Sequence, residues 1–356
     1  MKIKSLAYLI LFIPMLLLVF GCDMKEQALV IQKPYTYDNQ YYENLRAYKN
    51  TSHTIFFGWY AAYAGIAGST GYKDPASWGE RIMGLPDSVD VVSLWMGIPS
   101  NDPKSKSYAP IAYADWKYVS LVKGTKFVCP TIVNFNGQIT LKDSTLFDCT
   151  LLANRTDSGI HVYGKWLVDN VLDNGLDGLD IDWEPSGGEW LNTNGNFLKL
   201  VQYCGGYLGP LSSNPTKIFD IDFFSAAPPA GTAKYCNYFV RQAYSQGTGG
   251  VQNAANMQSY YNSVAADCPP GKFIVTENFG DFATNGGTPW TEANGNTLTT
   301  GGTQMYSLEG MARWNPTQGE KAGFGAFYFD RDYYSPTGVP YYNVRRCIQI
   351  ANPAVH

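Results

Sequence analysis

The chain has 356 residues with 30 acidic and 26 basic side chains, a formal charge of −4. It therefore gains little from phosphate neutralisation, and nucleic acid is not expected as a main partner. Charged residues make up only 16% while aromatic residues reach 15%, which excludes a disordered chain and leaves rings to spare for stacking. Histidine occurs only at positions 53, 161 and 356, so a His-rich metal site is poorly supplied, and no metal or other cofactor is expected.

Lys2 and Lys4 precede an apolar run from Leu6 to Phe20 that is interrupted by Pro14 and is short for a membrane span, so residues 1–21 read as a signal peptide. The run ends Val19-Phe20-Gly21-Cys22. A small residue followed directly by Cys resembles a bacterial lipobox, which would make Cys22 the lipidated first residue of the mature chain. The alternative is an ordinary secretory signal with an incidental Cys. Asp23-Met24-Lys25-Glu26 is similar to the acidic export signal of surface lipoproteins in the Bacteroides group, which implies a lipid anchor in the outer membrane and exposure at the surface. Residues 22–50 are polar and Tyr-rich without a clean apolar period, and suit a tether. The other six cysteines are widely scattered and form no C-x-x-C pair, leaving disulfides and free buried thiols both open.

From residue 51 onward, eight apolar, β-branched or aromatic runs follow in order: 54–60, 89–97, 125–135, 176–183, 216–225, 237–244, 272–280 and 323–330. Helical patterns fall between or after them at Tyr163–Leu172, closed by Gly175, at Phe197–Tyr203 and at Tyr342–Ile350. Strands alternating with helices pair in parallel, and eight such units predict an α/β fold, a closed (β/α)8 TIM barrel. The fifth crossover, Ser225 to Asn237, is short and rich in Ala, Pro and Gly, so no full helix fits there. Long connections follow the third and seventh runs and are expected to shape the face at the strands' C-terminal ends. No linker divides residues 51–356, which are read as one domain and a monomer.

The fourth run carries Asp177-Gly178-Leu179-Asp180-Ile181-Asp182-Trp183-Glu184. Side chains alternate along a strand, so Asp180, Asp182 and Glu184 share one face, about 6.6 Å apart, while Ile181 and Trp183 point away. Three carboxylates facing a barrel interior repel one another and lose hydration, an arrangement that chemistry must justify. A metal cage is an alternative, but no further acidic cluster stands out in the sequence.

The segment is similar to the D-G-x-D-x-D-x-E signature of glycoside hydrolase family 18, a family of chitinases, endo-β-N-acetylglucosaminidases and some inactive lectin-like relatives on (β/α)8 barrels. The resemblance covers about residues 51 to 356. It implies a retaining reaction in which the substrate's own 2-acetamido oxygen attacks the anomeric carbon, so one enzyme acid suffices to protonate the leaving oxygen. Glu184 matches that acid, Asp182 the carboxylate that stabilises the oxazolinium-like cation, and Asp180 a deeper partner sharing a proton or hydrogen bond with Asp182. Asp177 is out of phase and is expected to be structural.

In the sixth run, Gln242-Ala243-Tyr244 resembles the Gln-x-Tyr of family members that cut N-glycans, rather than the Met-x-Tyr-Asp of its chitinases. An amide and a phenol can orient an acetamido oxygen without adding charge. The eighth run lacks the Trp that floors the sugar site in chitinases, so Tyr328 or a neighbouring Phe is expected to replace it. Trp59, Trp95, Asn134 and Trp290 lie at or after predicted strand ends and are candidate sugar contacts. The expected activity is endo-β-N-acetylglucosaminidase, with N-glycans of glycoproteins as substrates. A chitinase, or a glycan-binding surface protein that has lost its chemistry, is the alternative.

Overall fold

The computed structural model describes residues 36–62, 81–95, 97–185, 189–193, 195–248 and 250–354. The expected leader, Cys22 and the first part of the tether lie outside them.

All eight apolar runs become strands: β1 (Ile55–Tyr60), β2 (Val91–Leu94), β3 (Lys126–Ile132), then, past a small hairpin of β4 (Gln138–Thr140) and β5 (Leu146–Asp148), β6 (Gly178–Trp183), β7 (Ile218–Phe223) and β8 (Tyr238–Gln242). A two-residue strand β9 (Gln252–Asn253) separates these from β10 (Phe273–Asn278), and another, β11 (Trp290–Thr291), precedes β12 (Gly323–Phe327). The eight long strands close in the order β1-β12-β10-β8-β7-β6-β3-β2, every pair parallel. This is the (β/α)8 barrel that the alternation predicts.

The period-two pattern divides the side chains between two cores. Phe57, Trp59, Val91, Val128, Ile218, Val240 and Ile274 fill the barrel interior, whereas Phe56, Val92, Phe127, Ile181, Trp183, Phe219 and Phe324 join the sleeve between strands and helices. Ile181 and Trp183 thus point outward as expected, and Trp183 stacks on Phe197 with ring centroids 3.7 Å apart.

Helices α1 (Asn39–Lys49), α2 (Pro110–Tyr118), α3 (Asp157–Asn174), α4 (Asn196–Gly205), α5 (Ala254–Asn262), α6 (Phe279–Phe282), α7 (Ser307–Arg313) and α8 (Tyr342–Ala351) complete the described structure. In α3, the Thr156 hydroxyl accepts from the Gly159 N–H at the start, and Gly175 ends the helix at φ 67°, a conformation open to Gly without a Cβ penalty. The connection from β7 to β8 holds only a short turn at Ala233–Tyr235, and the long ones after β3 and β10 carry the hairpin and β11, as expected.

One boundary differs from the sequence reading. Residues 39–49, assigned above to a tether, form α1, docked under the barrel. Tyr41 donates to Asp87 at 2.9 Å, Arg46 to the Val122 carbonyl at 2.7 Å, and Lys49 to the Val89 carbonyl and Thr125 at 2.6 and 2.8 Å. The attachment is polar, with Tyr42 the one buried residue of the helix, which is why no apolar period announced it.

Candidate active site

β6 and β7 run side by side with Asp180 opposite Asp220 and Asp182 opposite Asp222. Alternation turns all four carboxyl groups into the barrel, where none is more than 3% exposed. Glu184 stands one step beyond the end of β6 and is exposed at the mouth. The expectation that no second acidic cluster exists is therefore corrected: Asp220-Ile221-Asp222 repeats the spacing of Asp180-Ile181-Asp182 one strand over. The shared period was the signal available for finding it. Among the described residues no set of three His, Cys, Asp or Glu is arranged to hold a metal.

The two layers have different partners. Asp180 Oδ2 accepts from the Trp59 indole N–H at 2.9 Å and from the Ser93 hydroxyl at 2.7 Å. Its Oδ1 meets no N–H or hydroxyl donor, and neither does Oδ1 of Asp222, which sits close to the carboxyl groups of both Asp180 and Asp182. Asp182 Oδ1 and Asp222 Oδ2 both accept from the Gln242 amide, at 3.2 and 2.5 Å. Burial raises the Asp180 carboxyl to about 6, against the hydrogen bonds from Ser93, Asp222 and Trp59. Asp182 is raised to about 7, by burial first and then by repulsion from Glu184 and Asp180. Burial also pushes Asp220 and Asp222 well above the carboxylate range, with Asp180 adding to both and Asp182 to Asp222.

Gln242 ends β8, and Tyr244 follows two residues later, buried. Its phenol is pushed up by burial and then by Asp222, Asp182, Glu184 and Asp180, so the Gln242–Tyr244 pair joins the carboxylates as the spacing predicts. Beside it stands Phe327, the last residue of β12. Its ring lies 5.9 Å from that of Tyr244 at an interplanar angle of 24°, 5.1 Å from Trp95 edge-on, and 4.1 Å from Tyr328. The half-buried Phe327 and Trp95 form an aromatic wall near the carboxylates. Tyr328 turns the chain at φ 54°, in the left-handed region that a Tyr seldom occupies, and lies under the Arg331 guanidinium at 5.2 Å. Of the two replacements considered for the missing Trp, the neighbouring Phe is the one that faces the barrel interior.

Two sugar contacts expected from the sequence are corrected. Trp59 is 1% exposed, and its indole serves Asp180 inside the barrel. Trp290 is wholly buried against α7, where a Cβ on Gly310 would meet its ring at 2.0 Å. Neither presents a face to a ligand. Asn134 is half-buried just beyond β3, two residues past the Ile132 that pairs with Asp182, and its backbone is bonded to the Tyr163 hydroxyl of α3. Asp177 bonds the Phe127 N–H at 3.0 Å and lies 3.5 Å from the Lys126 ammonium, the structural role expected of it. Sequence reasoning also missed Ser93 and Asn278, a buried residue at the end of β10 that donates to Gln246 at 2.7 Å and Asp281 at 3.0 Å.

Chemically, the mouth offers one solvent-facing carboxyl and, 3% exposed, a second with a raised pKa. An amide and a phenol lie beside them and aromatic rings flank the opening. That set can protonate a leaving oxygen and stabilise a cation in a shielded site.

The family model described as "Glycoside hydrolase family 18, BT1044-like" matches residues 21–350. Endo-beta-N-acetylglucosaminidase F2 of Elizabethkingia meningoseptica is 26% identical over 343 residues, 93% of this chain and 92% of that protein. Among solved structures, a BT1044 variant superimposes with a TM-score of 0.67 at 20% identity, covering 88% of this chain and 93% of that one. An endo-beta-N-acetylglucosaminidase of Cordyceps militaris, solved as a mutant in complex with fucosyl-N-acetylglucosamine-Asn, gives 0.58 at 21% identity, covering 90% of this chain and 98% of that one.

Proposed function

Because the chain belongs to glycoside hydrolase family 18, we propose that it cuts the β-1,4 bond between the two core GlcNAc residues of N-linked glycans, with retention and with the substrate's acetamido group as nucleophile. It is a glycoside hydrolase of an endo-β-N-acetylglucosaminidase-like kind. The bond cut and the route are the proposed part. The observation that carries them is the division of labour at the mouth. Glu184 is the solvent-facing acid, able to meet a leaving oxygen. Asp182 is shielded and bonded to Gln242, which supports a role facing an acetamide rather than bulk water.

In this reading Glu184 protonates the glycosidic oxygen as the acetamido oxygen closes on C1, and the C1–O bond breaks. Asp182 accepts from the acetamide N–H and stabilises the oxazolinium charge, while Tyr244 and Gln242 orient the group. Water, deprotonated by Glu184, then opens the ring and restores the acid. Support for the N-glycan substrate comes from the Gln242–Tyr244 pair and from the named activities of the relatives, one of them captured with fucosyl-N-acetylglucosamine-Asn. We further propose that Cys22 anchors the chain by lipid to the outer membrane, facing outward. Loss of palmitate labelling in Cys22→Ala tests this.

Incubating the protein with a high-mannose, a hybrid and a complex glycoprotein, and separately with chitin oligomers, tests the substrate. Released glycans with a single GlcNAc left on Asn are expected. Chitobiose from the oligomers with no glycan release would overturn the assignment in favour of a chitinase. Glu184→Gln is expected to keep binding and lose cleavage. Binding without cleavage by the wild type would make this a lectin.

A further inference from the structure

Tyr244 stands two residues past the end of β8, beyond the ladder that fixes Gln242, yet in the function proposed above its phenol has to meet the acetamido group in one place. Two buried side chains hold its backbone instead. On one side the Gln252 amide of β9 donates to the Ala243 carbonyl at 2.7 Å. On the other, the Ser245 N–H donates to Oε1 of Glu277 at 2.9 Å and the Ser245 hydroxyl donates to Oε2. Glu277 is wholly buried and in phase with Phe273 and Val275 on the outer face of β10, so it turns away from the barrel interior and from any sugar there. Among the described residues no Lys or Arg pairs with it. A carboxyl group buried without a cation needs donors around it, and four converge here. Besides the two from Ser245, the Asn278 N–H reaches Oε1 at 2.7 Å and the Ser307 hydroxyl of α7 reaches Oε2. The Thr288 hydroxyl meets that of Ser245 at 2.7 Å, and the Thr288 N–H donates to Ser307 Oγ at 3.1 Å. The connections after β8 and β10 and the start of α7 are thus closed around one side chain.

We propose that Glu277 is a positioning residue: it clamps the backbone at Ser245 and thereby sets the Tyr244 phenol where the acetamido group has to be oriented. The inference rests on the function proposed above. Ala243 and Ser245 flank Tyr244 directly, so with Gln252 holding the first and Glu277 the second, the ring has two fixed shoulders and one stacking partner, Phe327 at 5.9 Å. Without Glu277, two N–H groups and two hydroxyls lose their acceptor, and Ser245 is free to carry Tyr244 towards other partners. A displacement of about 1 Å at a group that orients a reacting atom can cost on the order of 10²-fold. Glu277 itself touches no substrate, so its effect has to travel through Tyr244.

Glu277→Ala and Glu277→Gln, each alone and the first also combined with Tyr244→Phe, separate this role from general loosening of the fold. Ala removes all four contacts. Its kcat for glycan release is expected to fall about 30-fold with KM within about 3-fold. Gln can keep its oxygen on the Ser245 and Asn278 N–H groups and turn its NH2 to the two hydroxyls, which can accept, so kcat is expected within about 3-fold of wild type. Added to Tyr244→Phe, Glu277→Ala is expected to cost no more than about 3-fold further, whereas independent losses would multiply. NMR of tyrosine labelled at Cζ supplies a readout without substrate. The Tyr244 signal, assigned by its disappearance in Tyr244→Phe, should shift or broaden in Glu277→Ala and stay in place in Glu277→Gln. An Ala variant with full kcat or an unmoved signal, a Gln variant as damaged as Ala, or losses that multiply each overturns the proposal. If the wild type cleaves no glycan, the functional reading falls while the tyrosine signal still decides whether Glu277 sets Tyr244. Should Glu277→Ala fail to fold, Ser307→Ala takes a single donor from Oε2 and decides: a loss in kcat of about 3-fold that vanishes in Tyr244→Phe is expected, and an absent or persistent loss overturns the proposal.

Discussion

Replacing Asp182 by Asn is expected to weaken the enzyme and strengthen the protein. Burial, with Glu184 and Asp180 adding repulsion, lifts the folded carboxyl to about 7 from the ordinary 3.8. An acid raised on folding contributes its full stability only below its unfolded pKa and loses it as pH rises towards the folded one. Across that window the charge therefore works against the fold, and at pH 7 the penalty is on the order of 3 kcal/mol. Asn has nearly the same shape and stays neutral at every pH. It can present its oxygen to the Gln242 amide, whose present bond to Asp182 is 3.2 Å. With about 2 °C per kcal/mol for a chain of this size, Asp182→Asn is expected to raise Tm by roughly 6 °C at pH 7, the gain shrinking to nothing near pH 4. Turnover should drop about 10²- to 10³-fold, the range for loss of one strong transition-state electrostatic contact. Thermal unfolding from pH 4 to 8, paired with glycan-release kinetics on the same samples, checks both. A variant that is less stable than wild type at pH 7, or that turns over normally, would refute the reasoning.

Tyr244→Phe keeps the stacking on Phe327 and removes the phenol oxygen. A fall of about 10²-fold in kcat with a smaller change in KM is expected from steady-state rates, together with weaker inhibition by a thiazoline mimic of the cyclised intermediate. Phe327→Ala takes away the ring that lies against Tyr244 and Trp95. Titration calorimetry with an inactive Glu184→Gln background is expected to show about 10-fold weaker glycan binding. Gly310→Ala forces a Cβ to within 2.0 Å of the Trp290 ring, far inside contact distance. Denaturant unfolding should give a loss on the order of 3 kcal/mol, with kcat of the folded fraction unchanged.

The architecture was open to sequence reasoning because most barrel strands are buried on both faces and so appear as largely apolar runs, and eight such runs with helical gaps admit few folds. Asp180, Asp182 and Glu184 were legible for the opposite reason: polar residues at period two inside such a run have no bland explanation. Asp220 and Asp222 met the same criterion. They are harder to read because the run 216–225 carries two such acids and not three, without the Glu that continues the phase in the fourth run. The aromatic candidates failed more fundamentally. Trp59, Trp95 and Trp290 all fall near strand ends, but which ring faces the opening depends on what packs over it. Gly310 makes room that swallows Trp290, and Asp180 recruits the Trp59 indole, whereas Trp95 stays half-buried at the mouth. Helix α1 was invisible because it docks through Tyr41, Arg46 and Lys49 rather than through an apolar stripe.

The docking of α1 fixes which end of the barrel residues 39–49 cover. Its bonds reach Asp87, Val89, Val122 and Thr125, all just ahead of β2 and β3, at the end of the barrel opposite Glu184. Loosening this polar clasp is therefore expected to act at the base of β2 and β3 while leaving the geometry around Glu184 in place.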